Sequence, residues 1–366
     1  MRIAVDARQL VPPITGIGRY TENLLQQLLS SGDEWFLYSD RPLAEELRHW
    51  ADLPGVTVRE GNARGRGLRS LWIANIDFAR WANRDRIDVF WSPRHHLPLA
   101  LKKHIVGVVS IHDLVWRRYP ETMPQANLWV ERLAMAWSLR RAQQVIAVSG
   151  FTRSEIGHFY PSAAARTSVV HEAARSLGAP AAPRLEQPYF LFVGTLEPRK
   201  NLLRLLEAYG GFAANSDCSH RLVIIGAAGW GLPSLQDKCR QLGIESRVHF
   251  PGFVSDGELA GYYRGATALV LPSLYEGFGL PVVEAMEQGT PAIVSDRGSL
   301  PEVAGNAALL VNPESTASVQ AALMQMATDS EKRAELAQRC LVQKDHYSWE
   351  KAAATTLELL RRAVRD

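Results

Sequence analysis

The chain has only three cysteines in 366 residues, Cys218, Cys239 and Cys340. They are far apart and odd in number, so they read as reduced, packed thiols and not as a disulfide framework. No cysteine/histidine cluster has metal-ligand spacing, which excludes a recognisable zinc module. No Asp-x-Asp pair occurs, which argues against a metal-held diphosphate and leaves no expected metal or cofactor. No apolar run reaches the length of about 18 residues that a transmembrane helix requires. Asp6 interrupts the first apolar run, which speaks against a secretory signal peptide and for a cytoplasmic protein. Nucleic-acid motifs are missing as well, so no nucleic-acid partner is expected.

What is present suits two α/β domains. Apolar residues make up 46% of the chain and charged ones 22%, enough apolar material for two cores at this length. The net charge of +3 is unevenly spread. Residues 1–180 hold 23 Lys/Arg against 17 Asp/Glu, and the remainder holds 18 against 21. A basic first half suggests an anionic partner, such as a phosphate-bearing lipid or a membrane surface.

Short apolar runs alternate with amphipathic stretches. Strands are predicted at 3–5, 35–38, 89–91, 105–109 and 145–148, with helices such as 19–29 and 126–141 between them. The Pro- and Ala-rich residues 176–188 read as a linker. The pattern then restarts, with strands at 189–193, 222–225, 248–250, 268–271 and 292–294. This alternation predicts two doubly wound parallel sheets, over 1–180 and 181–347, each with its ligand crevice at the carboxyl ends of its strands. Two such domains facing one another would form a deep cleft. Residues 348–364 read as a terminal helix with Ser348 as N-cap.

The densest chemistry lies in residues 271–287 (LPSLYEGFGLPVVEAME). A strand ends near Leu271, a loop holds Glu276-Gly277-Phe278-Gly279, and a helix begins near Pro281. Backbone N–H groups of the loop and helix start can hold sugar hydroxyls and diphosphate oxygens. Glu284 can accept from a ribose hydroxyl. An isolated pair at this spacing would equally suit a helix-capping Glu284 and a solvated Glu276; the Phe-Gly and Pro context favours a ligand site. Arg199-Lys200 follows a predicted strand, where two cations can neutralise a diphosphate or simply cap a surface helix. Gly16-Ile17-Gly18 looks like a dinucleotide fingerprint, with Asp40 at about the right distance. Against that, Thr21 replaces the third glycine, and ten residues separate Asp6 from Gly16. His112-Asp113 follows another strand, where a lone histidine could as well be structural. Residues 64–86 mix arginines with Trp72, Ile73, Ile76 and Trp81, and suit either an interfacial helix or a core helix with a basic face.

EGFGLPVVEA resembles the E-x7-E donor motif of glycosyltransferase family 4, whose members have the GT-B fold. The resemblance covers most of the chain in order: GIGRYT, IHDL, VGTLEPRKNL, PGFVS and SLYEGFGLPVVEAM. It implies retention of configuration, a metal-independent site and a nucleotide-sugar donor held mainly by the second domain. It also implies that the helix at 348–366 crosses back onto the first domain. The implied donor-binding residues are Gly16, Gly18, Arg199, Lys200, Phe253, Val254, Glu276, Gly277, Phe278, Gly279, Leu280 and Glu284. His112, Glu276, Arg199 and Lys200 would serve the reacting centre, with Arg199 and Lys200 on the leaving diphosphate and Glu276 on a sugar hydroxyl. Phe253-Val254 would lie near the base. VDARQL, TGIGRYTENLL and IHDLVWRRYPETM look most like bacterial mannosyltransferases of surface-polysaccharide assembly. The implied donor is therefore GDP-mannose, ahead of GDP-rhamnose or a UDP-hexose. The implied acceptor is a glycan or polyprenyl-diphosphate-linked oligosaccharide, with peripheral membrane contact through the basic first half. A nicotinamide oxidoreductase, a GT-B nucleotide-sugar epimerase and a silent scaffold are the competing readings.

Overall fold

The computed structural model describes residues 1–65, 67–122, 125–179, 181, 185, 187–252 and 254–365. Phe253 and part of the 176–188 linker lie outside them. The chain divides into two units, one comprising Met1–Leu114, Pro124–Glu172 and Ser348–Asp366, the other Val115–Met123 and Ala173–Tyr347.

The first unit holds strands β1 (Arg2–Asp6), β2 (Glu34–Ser39), β3 (Val56–Glu60), β4 (Val89–Ser92), β5 (Val106–Ile111), β6 (Gln144–Ala147) and β7 (Thr167–Val169). They form one sheet in the order β3-β2-β1-β4-β5-β6-β7, and every pairing is parallel. The central strands β1 and β4 read as unbroken apolar runs because helices cover both faces. Ile3, Val5, Phe90 and Trp91 are fully buried.

The second unit repeats this architecture. Its strands are β8 (Tyr189–Val193), β9 (Arg221–Ile225), β10 (Val248–His249), β11 (Ala268–Leu271), β12 (Ala292–Ser295) and β13 (Ala308–Val311), ordered β10-β9-β8-β11-β12-β13. All five residues of β8 are buried. In each sheet the strand order reverses once, beside β1 and β4 in the first and beside β8 and β11 in the second. Doubly wound sheets bind ligands in the crevice at the carboxyl end of that reversal.

The final helix, Trp349–Arg365, buries Ala352, Ala353, Leu359, Leu360 and Ala363 within the first unit. Arg361 Nη2 reaches Asp33 Oδ2 at 2.8 Å, and Arg362 Nη2 donates to Gln144 Oε1 at 3.1 Å. Ser348 Oγ accepts from the Lys351 N–H at 3.4 Å, a weak N-cap of the predicted kind. Among the described residues no helix is long and apolar enough to cross a membrane.

Residues 68–84 carry both buried and exposed apolar side chains. Helices Leu68–Trp72 and Phe78–Arg84 are joined by a π-helical turn, Ile73–Asp77, which rotates the apolar face between them. Ile73, Phe78 and Ala82 enter the core, whereas Leu68, Leu71 and Trp72 are 87%, 50% and 48% exposed.

Candidate functional site

Two loops of the second unit leave the sheet at its reversal, and they carry the predicted residues. After β8 the chain passes through Gly194 to a single turn, Pro198–Lys200. Asn201 then takes a left-handed conformation, φ 61°, before the helix Leu202–Ala214. The Asn201 side chain holds that turn by donating to the carbonyls of Pro272 and Pro313 at 3.0 and 2.7 Å. After β11 the loop runs to Gly279, whose φ of 110° suits glycine and which caps the helix Leu280–Glu287. Pro281 occupies its first turn, as the sequence predicted.

The two loops meet at one carboxylate. Glu276 Oε1 accepts from Lys200 Nζ at 2.6 Å and from Ser273 Oγ at 2.7 Å. Its Oε2 accepts from Arg199 Nη1 at 2.7 Å. The same Arg199 nitrogen donates to the Tyr275 carbonyl, and its Nη2 donates to Glu197 at 2.5 Å. Burial alone would push the Glu276 pKa up; Lys200 and Arg199 outweigh it and bring it down to about 2. Burial holds the Lys200 pKa below its ordinary value although Glu276 works the other way. An ammonium has three donors, and among the described residues one of them is committed to Glu276, so Lys200 has capacity for a further anion. The cluster is thus a fixed pair of cations with Glu276 as shared counter-ion. That role is more specific than the sugar-hydroxyl contact expected of Glu276, and sequence spacing alone did not reveal it.

The loop itself is pinned from below. Ser299 Oγ donates to the carbonyls of Glu276 and Phe278 at 3.0 and 2.7 Å. The Phe278 ring packs edge-on against Tyr347, so its side chain belongs to the core. Gly277 and Gly279 are buried, and Leu280 and Val254 are half-buried. Glu284 stands apart from the cation pair, bonded to Arg175 and Tyr263, neither of which the sequence had marked.

In the first unit the loops after β1, β4 and β5 hold the other candidates. Thr15 precedes the helix Gly16–Leu28. A methyl group at Gly18 would lie 2.4 Å from the Gln9 carbonyl oxygen, so only glycine fits. At Gly16 the same methyl would meet nothing within 4 Å, which leaves open space beside a helix start. The His112 ring faces two acceptors, with Nδ1 2.9 Å from Glu172 Oε1 and Nε2 2.8 Å from the Pro93 carbonyl. Burial would lower its pKa, but Glu172 outweighs that and raises it. Its backbone N–H donates to His95 Nε2 at 3.1 Å, and its carbonyl accepts from Thr152. His112 is therefore the hub of a strand-end network, with both ring nitrogens engaged.

Both units match known glycosyltransferase families. The family described as "Glycosyltransferase Family 4" matches residues 14–173, and "Glycosyl transferases group 1" matches residues 179–340. O-antigen chain mannosyltransferase B of Escherichia coli is 29% identical over 98% of both chains. O-antigen chain mannosyltransferase RfbU of Salmonella typhimurium is 30% identical over 69% of this chain and 68% of its own. Among solved structures, a sucrose-phosphate synthase of Thermosynechococcus elongatus superimposes with a TM-score of 0.82 at 20% identity, covering 99% of this chain and 98% of that one. The Anabaena protein HepE, solved with UDP and glucose, gives 0.74 at 17% identity over 98% and 99%. At these identities the two structures speak for the fold.

Proposed function

The chain belongs to the group 1 glycosyl transferases of family 4, and on that premise we propose that it moves mannose from GDP-mannose to a hydroxyl of a glycan or lipid-linked oligosaccharide in surface-polysaccharide assembly. The observation that carries this reading is the Lys200–Glu276–Arg199 cluster, which sets two cations at the reversal of the second sheet. A departing diphosphate gains negative charge as the glycosidic bond breaks. Cations already fixed in place stabilise that charge most in the transition state, which is the condition for acceleration. The choice of mannose is supported by the relatives named as O-antigen mannosyltransferases, one of which aligns over 98% of both chains. Retention without a metal ion is supported by the family resemblance and by the lack of an Asp-x-Asp pair.

A polyprenyl-diphosphate acceptor would bring the protein to the cytoplasmic face of a membrane. The exposed Leu68, Leu71 and Trp72, flanked by Arg64, Arg69 and Arg80, support peripheral contact there. Sedimentation with anionic vesicles reads that contact directly.

A thermal-shift panel of GDP-, UDP- and ADP-sugars tests the donor. GDP-mannose is expected to raise the melting temperature most. A larger shift from a UDP- or ADP-sugar overturns that choice. Conversion of the donor to an epimer in the absence of acceptor would favour the epimerase reading instead.

A further inference from the structure

Glu284 is held by residues from two other parts of the second unit. Arg175 Nε donates to its Oε1 at 3.1 Å, and the Tyr263 hydroxyl donates to its Oε2 at 2.8 Å. Arg175 is itself anchored from the far side, because its Nη1 donates to Asp256 Oδ1 at 2.7 Å. Tyr263 is fully buried and the Glu284 side chain is only 9% exposed, whereas Asp256 is half exposed. The helix Asp256–Gly265 supplies Asp256 and Tyr263, the helix Leu280–Glu287 supplies Glu284, and Arg175 precedes β8.

A buried carboxylate needs a counter-charge and fixed donors. Each of its oxygens can accept two hydrogen bonds. Among the described residues one side-chain donor reaches each oxygen, Arg175 on Oε1 and Tyr263 on Oε2, which leaves each oxygen acceptor capacity for a ligand. Burial pushes the Glu284 pKa up, and Arg175 and the Tyr263 hydrogen bond oppose that shift. Burial and the neighbouring carboxylate raise the Tyr263 pKa, so its hydroxyl stays a donor.

We infer that Arg175 and Tyr263 are positioning residues of the nucleotide site, which aim the Glu284 carboxylate at the two ribose hydroxyls of a nucleoside diphosphate. This inference rests on the reading of the second unit as the nucleotide-sugar site. Asp256 holds the guanidinium in place before any ligand arrives, so the carboxylate is oriented in advance and not recruited on binding. Arg175→Lys keeps the charge but cannot span two carboxylates with a rigid fork.

Calorimetric titration with GDP and with 2′,3′-dideoxy-GDP tests it on the full-length protein. The wild type is expected to prefer GDP by roughly ten- to a hundredfold, the worth of one or two hydrogen bonds to a charged group. Arg175→Met should lose most of that preference by weakening GDP alone, with its dideoxy-GDP affinity near wild type. Arg175→Lys should restore part of the preference, and Tyr263→Phe should show a smaller loss of the same selective kind. An Arg175→Met protein that weakens both nucleotides equally, or keeps the full preference, overturns the positioning role. If Arg175→Met fails to fold, the same outcomes are read on Tyr263→Phe. A wild type that does not distinguish the two nucleotides overturns the ribose reading of Glu284, and the positioning role with it.

Discussion

Gly16 and Gly18 lie two residues apart and answer to different constraints. A side chain at Gly18 runs into the Gln9 carbonyl and the Ile14 side chain at 2.4 and 2.7 Å. Gly18→Ala should therefore lower the unfolding free energy by about 1–3 kcal/mol, the usual cost of overpacking. Gly16→Ala meets nothing in the protein, and alanine favours the helix. Its melting temperature should stay near wild type while transfer falls roughly tenfold, because only a ligand needs that space. Unchanged transfer in Gly16→Ala would remove the first-unit glycine loop from the site. The sequence suggested both glycines but could not separate them, since the separation depends on where Gln9 and Ile14 fold. For the same reason Arg175, Tyr263 and Ser299 went unread. Their partners lie 109, 21 and 23 residues away, and nothing local marks them. Glu276, Arg199 and Lys200 were legible because they lie in the loops that follow strands, near Gly277 and Pro198, although their mutual ion pairs were not.

Among elements, the central strands were readable and the edges were not. β8 and β11 coincide with the predicted ranges, because strands covered on both faces are continuous apolar runs. β3, β7 and β13 were missed. All three lie at or beside a sheet edge, are three to five residues long, and carry half-exposed residues that break the pattern. β10, another edge, ends one residue before its predicted boundary. The helix at 16–28 begins three residues before its predicted start, since two glycines mask a helical turn. The element Leu68–Arg84 carries the membrane reading. Wild-type protein should co-sediment with vesicles containing anionic lipid, and Leu68→Ser/Trp72→Ser should abolish this while GDP binding persists. Each exposed apolar side chain buried in the interface contributes about 1.5–3 kcal/mol. Equal sedimentation of the two proteins would assign these residues no part in membrane contact.

At the scale of the whole molecule, two doubly wound parallel sheets were predicted from alternation, and each is present, with the same reversal of strand order in both. The order places loops after β1, β4 and β5 in one unit, and after β8 and β11 in the other, at the positions where such sheets take ligands. The chain leaves the first unit and returns to it through the helix Trp349–Arg365. The proposed function turns on the second reversal, where Lys200 and Arg199 share Glu276. Turnover of GDP-mannose with acceptor, measured as GDP release by wild type and by Lys200→Met, tests this most directly. Methionine keeps the apolar stem and removes the charged donor, and a melting curve on the same sample checks the fold. A fall in kcat of about 10²- to 10³-fold in a folded Lys200→Met protein is the predicted result, the magnitude expected when one donor to a developing anion is lost. Near-wild-type turnover in that variant would contradict it.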